Sequence, residues 1–216
     1  DLKGEGYTGG AFGFVLDTRL KDIEITGNEA ARSLVYFESS HSPNTASVGG
    51  LIGAIWAKRR TVSGTDAMID GAEISHIQVV GQAYSGTQSG DTYDLFVGGA
   101  IGVFGSQDGG RDNTMRNVAV RQCSVDAIGE NVMLTYAGGL CGGVWWRSSM
   151  TVTNCSVYDS SITASSVSSI AYAAGAIGLA QRCTISSTKV LRTDVRAIST
   201  DKQARAAGIT SRTRNS

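Results

Sequence analysis

Proline occurs once in 216 residues, as Pro43, and histidine only twice, as His41 and His76. The scarcity of proline leaves nearly every backbone N–H free to enter a hydrogen-bonded ladder. Neither histidine has an acid or nucleophile at a spacing that suggests a catalytic triad, and both are expected on the surface, His76 pointing outward if Ile77 points in. Long apolar runs are also missing. The longest, Leu51 to Ala57 and Ala171 to Ala180, are too short or too broken by glycine to span a bilayer. Charge of one sign is not in excess, with 19 Lys and Arg against 19 Asp and Glu, so nothing in the bulk calls for nucleic acid or an anionic membrane. The one uneven stretch comes after Asp201, where Lys202, Arg205, Arg212 and Arg214 read as a solvated or severed end. Unbroken windows of Ala, Leu, Glu and Lys, which long helices need, are absent, while β-branched residues alternate with polar ones. The chain opens on Asp1, and we expect a single repeat domain over 1–216, excised from a longer chain.

Glycine is the residue present in quantity, 28 in all, and it organises the sequence. A short phrase recurs six times: TGGAFG from Thr8, VGGLIG from Val48, VGGAIG from Val97, AGGLCG from Ala137, AAGAIG from Ala173 and a degraded AAGIT from Ala206. Self-similarity at a period of about 20–50 residues is the signature of stacked repeat folds. The interval varies between copies while the phrase does not, so insertions fall in loops and the phrase fills one fixed structural position. Glycine on both faces of a strand marks close passage of another backbone, here a tightly packed layer of glycines in successive coils. The fold expected is all-β, a parallel β-solenoid. Two coils per interval would make a rod of about 45 Å at the usual strand spacing.

Between the phrases lie Ile23-Glu-Ile25, Ile77-Gln-Val79, Cys123-Ser-Val125, Cys155-Ser-Val157 and Cys183-Thr-Ile185, each apolar, polar, apolar, as a strand with one buried face requires. We read these five as one column. Together with the glycine phrase the pattern resembles the GLUG motif, in which V-G-G-L-I-G recurs beside an I-x-N-C-x-V strand. Asn154-Cys155-Ser156-Val157 matches the second half best. Gln122-Cys123 and Arg182-Cys183 depart at the Asn, and Ile23 and Ile77 replace the Cys. The resemblance runs from about Gly9 to Gly208. It implies a right-handed β-helix in large bacterial surface or secreted proteins, including adhesins and regions flanking surface peptidases. It implies an extracellular or cell-surface location and brings no catalytic residue and no cofactor.

The four cysteines, Cys123, Cys141, Cys155 and Cys183, lack the paired C-x-x-C spacing of a zinc site and read as buried thiols in a ladder, with a disulfide between neighbouring coils as the alternative. Asp91, Asp94, Asp108 and Asp112 sit in loop-like stretches without the EF-hand pattern. Trp56 and Trp145 each lie seven residues after the first glycine of a phrase, with Trp146 adjacent, so they are expected at equivalent positions, either as an outward aromatic face or as cover for a corner of the core. Tyr84 and Tyr93 flank a Ser/Gly-rich insertion from Gln82 to Asp94, and a second insertion is expected from Thr61 to Glu73. Trp56, Trp145, Trp146, Tyr84 and Tyr93 are therefore the candidate contact residues. Three functions compete. A noncatalytic structural or adhesive module would meet host or matrix glycans or proteins, or neighbouring copies of itself. A carbohydrate-active β-helix enzyme would need carboxylates from different coils within about 10 Å of one another. An ice-binding solenoid would need a column of threonines at matching positions in successive coils, and Thr151, Thr153 and Thr163 do not recur at corresponding places in the other repeats.

Overall fold

The computed structural model describes residues 6–39, 45–57, 68–84, 94–106, 112–145 and 148–214. These form β-strands in four parallel sheets. Sheet I holds Gly6–Gly9, Thr45–Gly49, Asp94–Gly98, Leu134–Gly138, Ile170–Ala174 and Ala204–Ala207. Sheet II, entered after a two-residue turn, holds Phe12–Leu16, Ile52–Ala57, Ile101–Ser106, Cys141–Val144, Ile177–Gln181 and Thr210–Arg214. Sheet III holds Arg19–Thr26, Met68–Ser75 and Asp112–Arg121, then the broken strands Ser149–Thr153 with Ser156–Tyr158 and Cys183–Ser186 with Lys189–Leu191. Sheet IV holds Ser33–Ser39, Ile77–Tyr84, Ser124–Glu130, Ser161–Ser166 and Asp194–Ser199.

The chain visits sheets I to IV in order and begins again, which is a parallel β-solenoid. Val48 pairs with Val97 and Gly49 with Gly98, so each glycine phrase opens one coil and not two. The five steps between the six strands of sheet I cover about 24 Å at ~4.8 Å each, roughly half the expected rod. Met68–Ser75 is a full strand of sheet III, so the second insertion ends before Met68 instead of reaching Glu73.

The glycine layer is where the phrase predicts it. A side chain on the second glycine of a phrase would overlap the carbonyl oxygen of the same glycine one coil on: Gly10 meets Gly50, Gly50 meets Gly99, Gly99 meets Gly139 and Gly139 meets Gly175. The last glycine of the phrase lets sheet II lie on the backbone of sheet I, and a Cβ on Gly53 would come within 2.6 Å of the Thr8 nitrogen. Sheet I is consequently buried on both faces. Its Val48, Leu95 and Val97 join the main core with Ile69, Ile74, Val79, Val125 and Ile162, while Phe96, Tyr136 and Tyr172 point the other way into a smaller core against Ala54, Val103 and Leu179 of sheet II.

The corners follow a rule invisible in the repeat itself. Residues at positive φ recur every five positions in the last full coil, at Arg182, Ser187 and Arg192, and likewise at Asn117 and Gln122 and at Asn154 and Asp159. These are left-handed turns between short straight sides, the region that Asn and Asp enter most readily among non-glycine residues. The residue after the turn often reaches back with a hydroxyl or thiol to the carbonyl two residues earlier. Ser160 donates to Tyr158 O (2.7 Å), Thr193 to Leu191 O (3.0 Å), Thr188 to Ser186 O (3.1 Å), Cys123 to Arg121 O (3.1 Å), Cys183 to Gln181 O (3.3 Å) and Cys155 to Thr153 O (3.4 Å).

This corrects the single cysteine column. Cys123 lies opposite Ser160 at the corner between sheets III and IV, Cys155 opposite Val118 at the bend within sheet III, and Cys183 pairs with Met150 at the start of sheet III. The three look alike in sequence because each follows a left-handed residue, at three different corners. The thiols are unpaired, Cys123, Cys141 and Cys155 buried and Cys183 partly so. Burial pushes all four pKa values up, that of Cys183 to about 12.

Candidate functional site

Sheet II folds back over sheet I, and the small core between them gathers the aromatic residues. Phe96, Tyr136 and Tyr172 occupy one register column of sheet I. Their rings stack at 5.0 Å and 5.1 Å between centroids, with interplanar angles of 4° and 14°. Offset stacking of this kind adds about 0.5–1.5 kcal/mol per pair beyond burial. Arg212, from the last strand of sheet II, lies over the Tyr172 ring at 5.2 Å and donates from Nη1 to the Tyr136 hydroxyl at 2.7 Å. Arg205 stands on the same ring at 5.8 Å.

Trp56 and Trp145 belong to this seam. Gly105 pairs with Trp56, and by the same register Trp145 falls opposite Gly105 from the other side, so the two tryptophans do share a column, two coils apart. Both are half-buried and pack against the small core. The Trp56 ring fills the space a Gly105 side chain would need, 2.9 Å from an added Cβ, and Trp145 packs edge-on to Phe96 at 5.4 Å. Covering the core is what these rings do. Tyr84, at the end of its sheet IV strand, is half-buried and donates to Gln82 Oε1 at 3.4 Å, away from the seam. Tyr93 and Trp146 lie outside the described residues, as do His41, Asp91 and Asp108.

Asp94 is the functional-looking residue that the sequence placed in a loop. It opens a sheet I strand, and its Oδ1 is buried with no hydrogen-bond partner among the described residues. Desolvation raises its pKa to about 6 against the opposing pull of Arg212 and Arg214. The Tyr136 hydroxyl is pushed well above the usual range, first by burial and then by the charge of Asp94. A carboxyl group that titrates near neutrality beside a tyrosine and an arginine can hold or pass a proton, and an ion-pair network inside a core produces the same signature. Nothing in its immediate sequence neighbourhood signals that burial, and the two arginines that act on its charge come from the last strand of sheet II.

Elsewhere the polar constellations serve the frame. Asp70 accepts from Arg116 (2.6 Å) and Asn117 (2.8 Å), and Asn154 donates on to Asn117 at 2.7 Å, a ladder along the sheet III bend. Both donors hold the Asp70 carboxyl below its ordinary pKa, Arg116 contributing most. His76, expected on the surface, occupies a left-handed corner with its side chain only 13% exposed and Nε2 3.5 Å from Glu29. Thr151 does recur by register: Thr114, Thr151 and Thr184 stack on the outer face of sheet III, a column that stops at Met68. Among the described residues no group of three His, Cys, Asp or Glu side chains converges for a metal, and no helix is long and apolar enough to cross a membrane.

Register, corners and seam together define the class, a parallel β-solenoid of one coil per glycine phrase. Neither a protein-family model nor a curated protein matches the chain. Among solved structures it is similar to one described as a "putative immunoglobulin A1 protease" from Bacteroides ovatus, with 11% identity, 83% of this chain and 78% of that chain covered, and a TM-score of 0.32.

Proposed function

We propose that this chain is a noncatalytic structural or adhesive module, a GLUG-type repeat segment of a bacterial surface or secreted protein that presents variable loops to host or matrix glycans or proteins. The supporting observation is where its length varies. Between sheets I and II the connection is two residues in every coil. From sheet II to III it ranges from one residue to ten, and from sheet IV to I from three to nine, with the longest of both in the second coil. Because sheet II folds back over sheet I, the ends of the former and the starts of the latter share one flank. Insertions there leave every ladder intact, which is how a rigid scaffold carries binding loops.

Purified protein applied to glycan arrays and immobilised matrix proteins should bind saturably without cleaving polysaccharides. Replacing 58–67 by the two residues that serve the first coil, Asp17 and Thr18, should abolish binding and leave the β-sheet circular dichroism intact. The second reading, a carbohydrate-active enzyme, is motivated by Asp94 beside Tyr136 and Arg212. Release of reducing ends or unsaturated sugars by the wild type, lost in Asp94→Asn, would establish it and remove the first.

A further inference from the structure

Sheets I and II form an arch. The two-residue turn of the glycine phrase is its tip, the small core fills it, and its mouth opens on the flank where the connections vary. Register names the residues of that mouth. Sheet I contributes Thr45, Asp94 and Leu134, one from each successive coil, and sheet II contributes Trp56, Gly105 and Trp145. Side chains two apart on a strand share a face, so Asp94 points the same way as Phe96, into the arch. These residues belong to the second, third and fourth coils, and every strand that carries or adjoins them is paired on both edges. The mouth is a feature of the interior of the repeat.

Its polar groups are unmatched. Asp94 Oδ1 and Trp56 Nε1 are both buried, and neither has a hydrogen-bond partner among the described residues. A carboxylate taken out of water calls for a counter-charge, and the groups that face Asp94 do not bond to that oxygen. Arg212 gives Nη1 to the Tyr136 hydroxyl and lies over the Tyr172 ring, and with Arg214 it acts on Asp94 through its charge. The walls are aromatic. Phe96 stands beside Asp94 on the same strand, Trp145 packs edge-on to Phe96 at 5.4 Å, and Trp56 lies across Gly105. Asp94, Trp56 and Trp145 are each only half-buried, which leaves the mouth reachable from solvent. A carboxylate among aromatic rings complements an organic cation, attracted by the rings and neutralised by the carboxylate. A sugar would need an open ring face to stack on, and the face of Trp56 is already laid against Gly105.

We propose that the mouth of the arch at Asp94, Trp56 and Trp145 is a receptor site for a basic protein segment. One lysine or arginine side chain enters to pair with the Asp94 carboxylate, and a backbone carbonyl of the same segment accepts from Trp56 Nε1. The inference rests on the adhesive reading above and narrows its partner at this site to protein, since a neutral glycan would leave the carboxylate without a counter-charge.

Titration of the 216-residue protein with the blocked peptide Gly-Gly-Arg-Gly-Gly, followed by tryptophan fluorescence at pH 7.5, should saturate. The counterpart with citrulline in place of arginine, alike in shape and uncharged, should bind at least about tenfold more weakly. Asp94→Asn should weaken the arginine peptide by a similar factor, while Glu73→Gln, on the outer face of sheet III, should leave it unchanged. Because Asp94 titrates at about 6, affinity should fall about tenfold between pH 7.5 and pH 5 in the wild type and stay level in Asp94→Asn, a difference that a merely structural effect would not produce. Circular dichroism of each variant separates loss of the site from loss of the fold, and Trp145→Leu, which should also weaken binding, serves as a second variant should Asp94→Asn misfold. Absence of saturation at millimolar peptide would overturn the proposal. So would equal binding of the citrulline peptide, or an affinity unaffected by Asp94→Asn. Glycan or matrix binding by a protein that ignores the arginine peptide would refute this inference alone, and peptide binding that requires Asp94, without any binding to glycans or matrix proteins, would refute only the loop-display function.

Discussion

Gly99→Ala and Gly208→Ala make the same chemical change at the same position of the repeat and should move stability in opposite directions. At Gly99 the added methyl group would overlap the Gly139 carbonyl oxygen of the next coil and stand 2.9 Å from Val120 Cγ1. The carbonyl belongs to a backbone held by ladders on both sides, so it cannot swing away as a side chain would. Overpacking of this kind costs about 1–3 kcal/mol and sometimes more, and a rigid backbone neighbour puts Gly99→Ala at the upper end, about 3 kcal/mol. The entropy gained by removing a glycine from the unfolded chain returns only about 0.4–1 kcal/mol. At Gly208 an added Cβ meets nothing within 4 Å, so the entropy term stands alone and the variant should be neutral to about 1 kcal/mol more stable. For a chain of this size a kcal/mol corresponds to about 2–4 °C. Thermal unfolding followed by circular dichroism should therefore show Gly99→Ala lowered by about 4–10 °C and Gly208→Ala unchanged or slightly raised. Equal losses in the two variants would refute the account of the glycine layer as a carbonyl-on-glycine stack.

Asp94→Asn should stabilise the protein at pH 7. The folded pKa of about 6 lies above the ordinary 3.8, so the folded state binds the proton more tightly. Stability is then highest below about pH 4 and falls as pH rises towards 6, by an amount on the order of 3 kcal/mol for that shift; denaturant melts across pH 4–7 should show the slope in the wild type and a smaller one in the variant. Cys123→Ser should cost no more than about 1 kcal/mol, since Ser160 already makes the same corner bond in the next coil. Cys141→Ser, in the dry interior, should cost about 2 kcal/mol or more by thermal melt. Asn154→Ala should lose about 1–2 kcal/mol from its left-handed backbone, and Asn154→Gly should recover most of that loss in the same assay.

The periodic part of the fold was legible in the sequence, because glycine has no substitute where a backbone must lie against another. The alternation of Ile23-Glu-Ile25 likewise yields the inward and outward faces seen in the strand Arg19–Thr26. What could not be read was register. Cys123, Cys155 and Cys183 have near-identical neighbours because every corner needs the same backbone trick, so local similarity says that each follows a turn without saying which turn. The count of coils per phrase depends on pairings such as Val48 with Val97, forty-nine residues apart. The candidate site was legible only in part. The matched spacing of Trp56 and Trp145 correctly placed them in one column, but their inward role depends on Gly105 and Phe96 from other coils. Asp94, beside a polar stretch, gives no sign of the Arg212 that reaches towards it from a strand more than a hundred residues later.

The two-residue turn of the glycine phrase makes each coil a cassette. An in-frame loss of one period, for example from Gly99 through Gly138, would bring Gly98 directly before Gly139. The next carbonyl would then arrive where the last one stood, and each ladder would close over the cut. Length is thus a quantity that unequal recombination can tune by whole steps of about 4.8 Å, independently of whatever the flank has come to recognise.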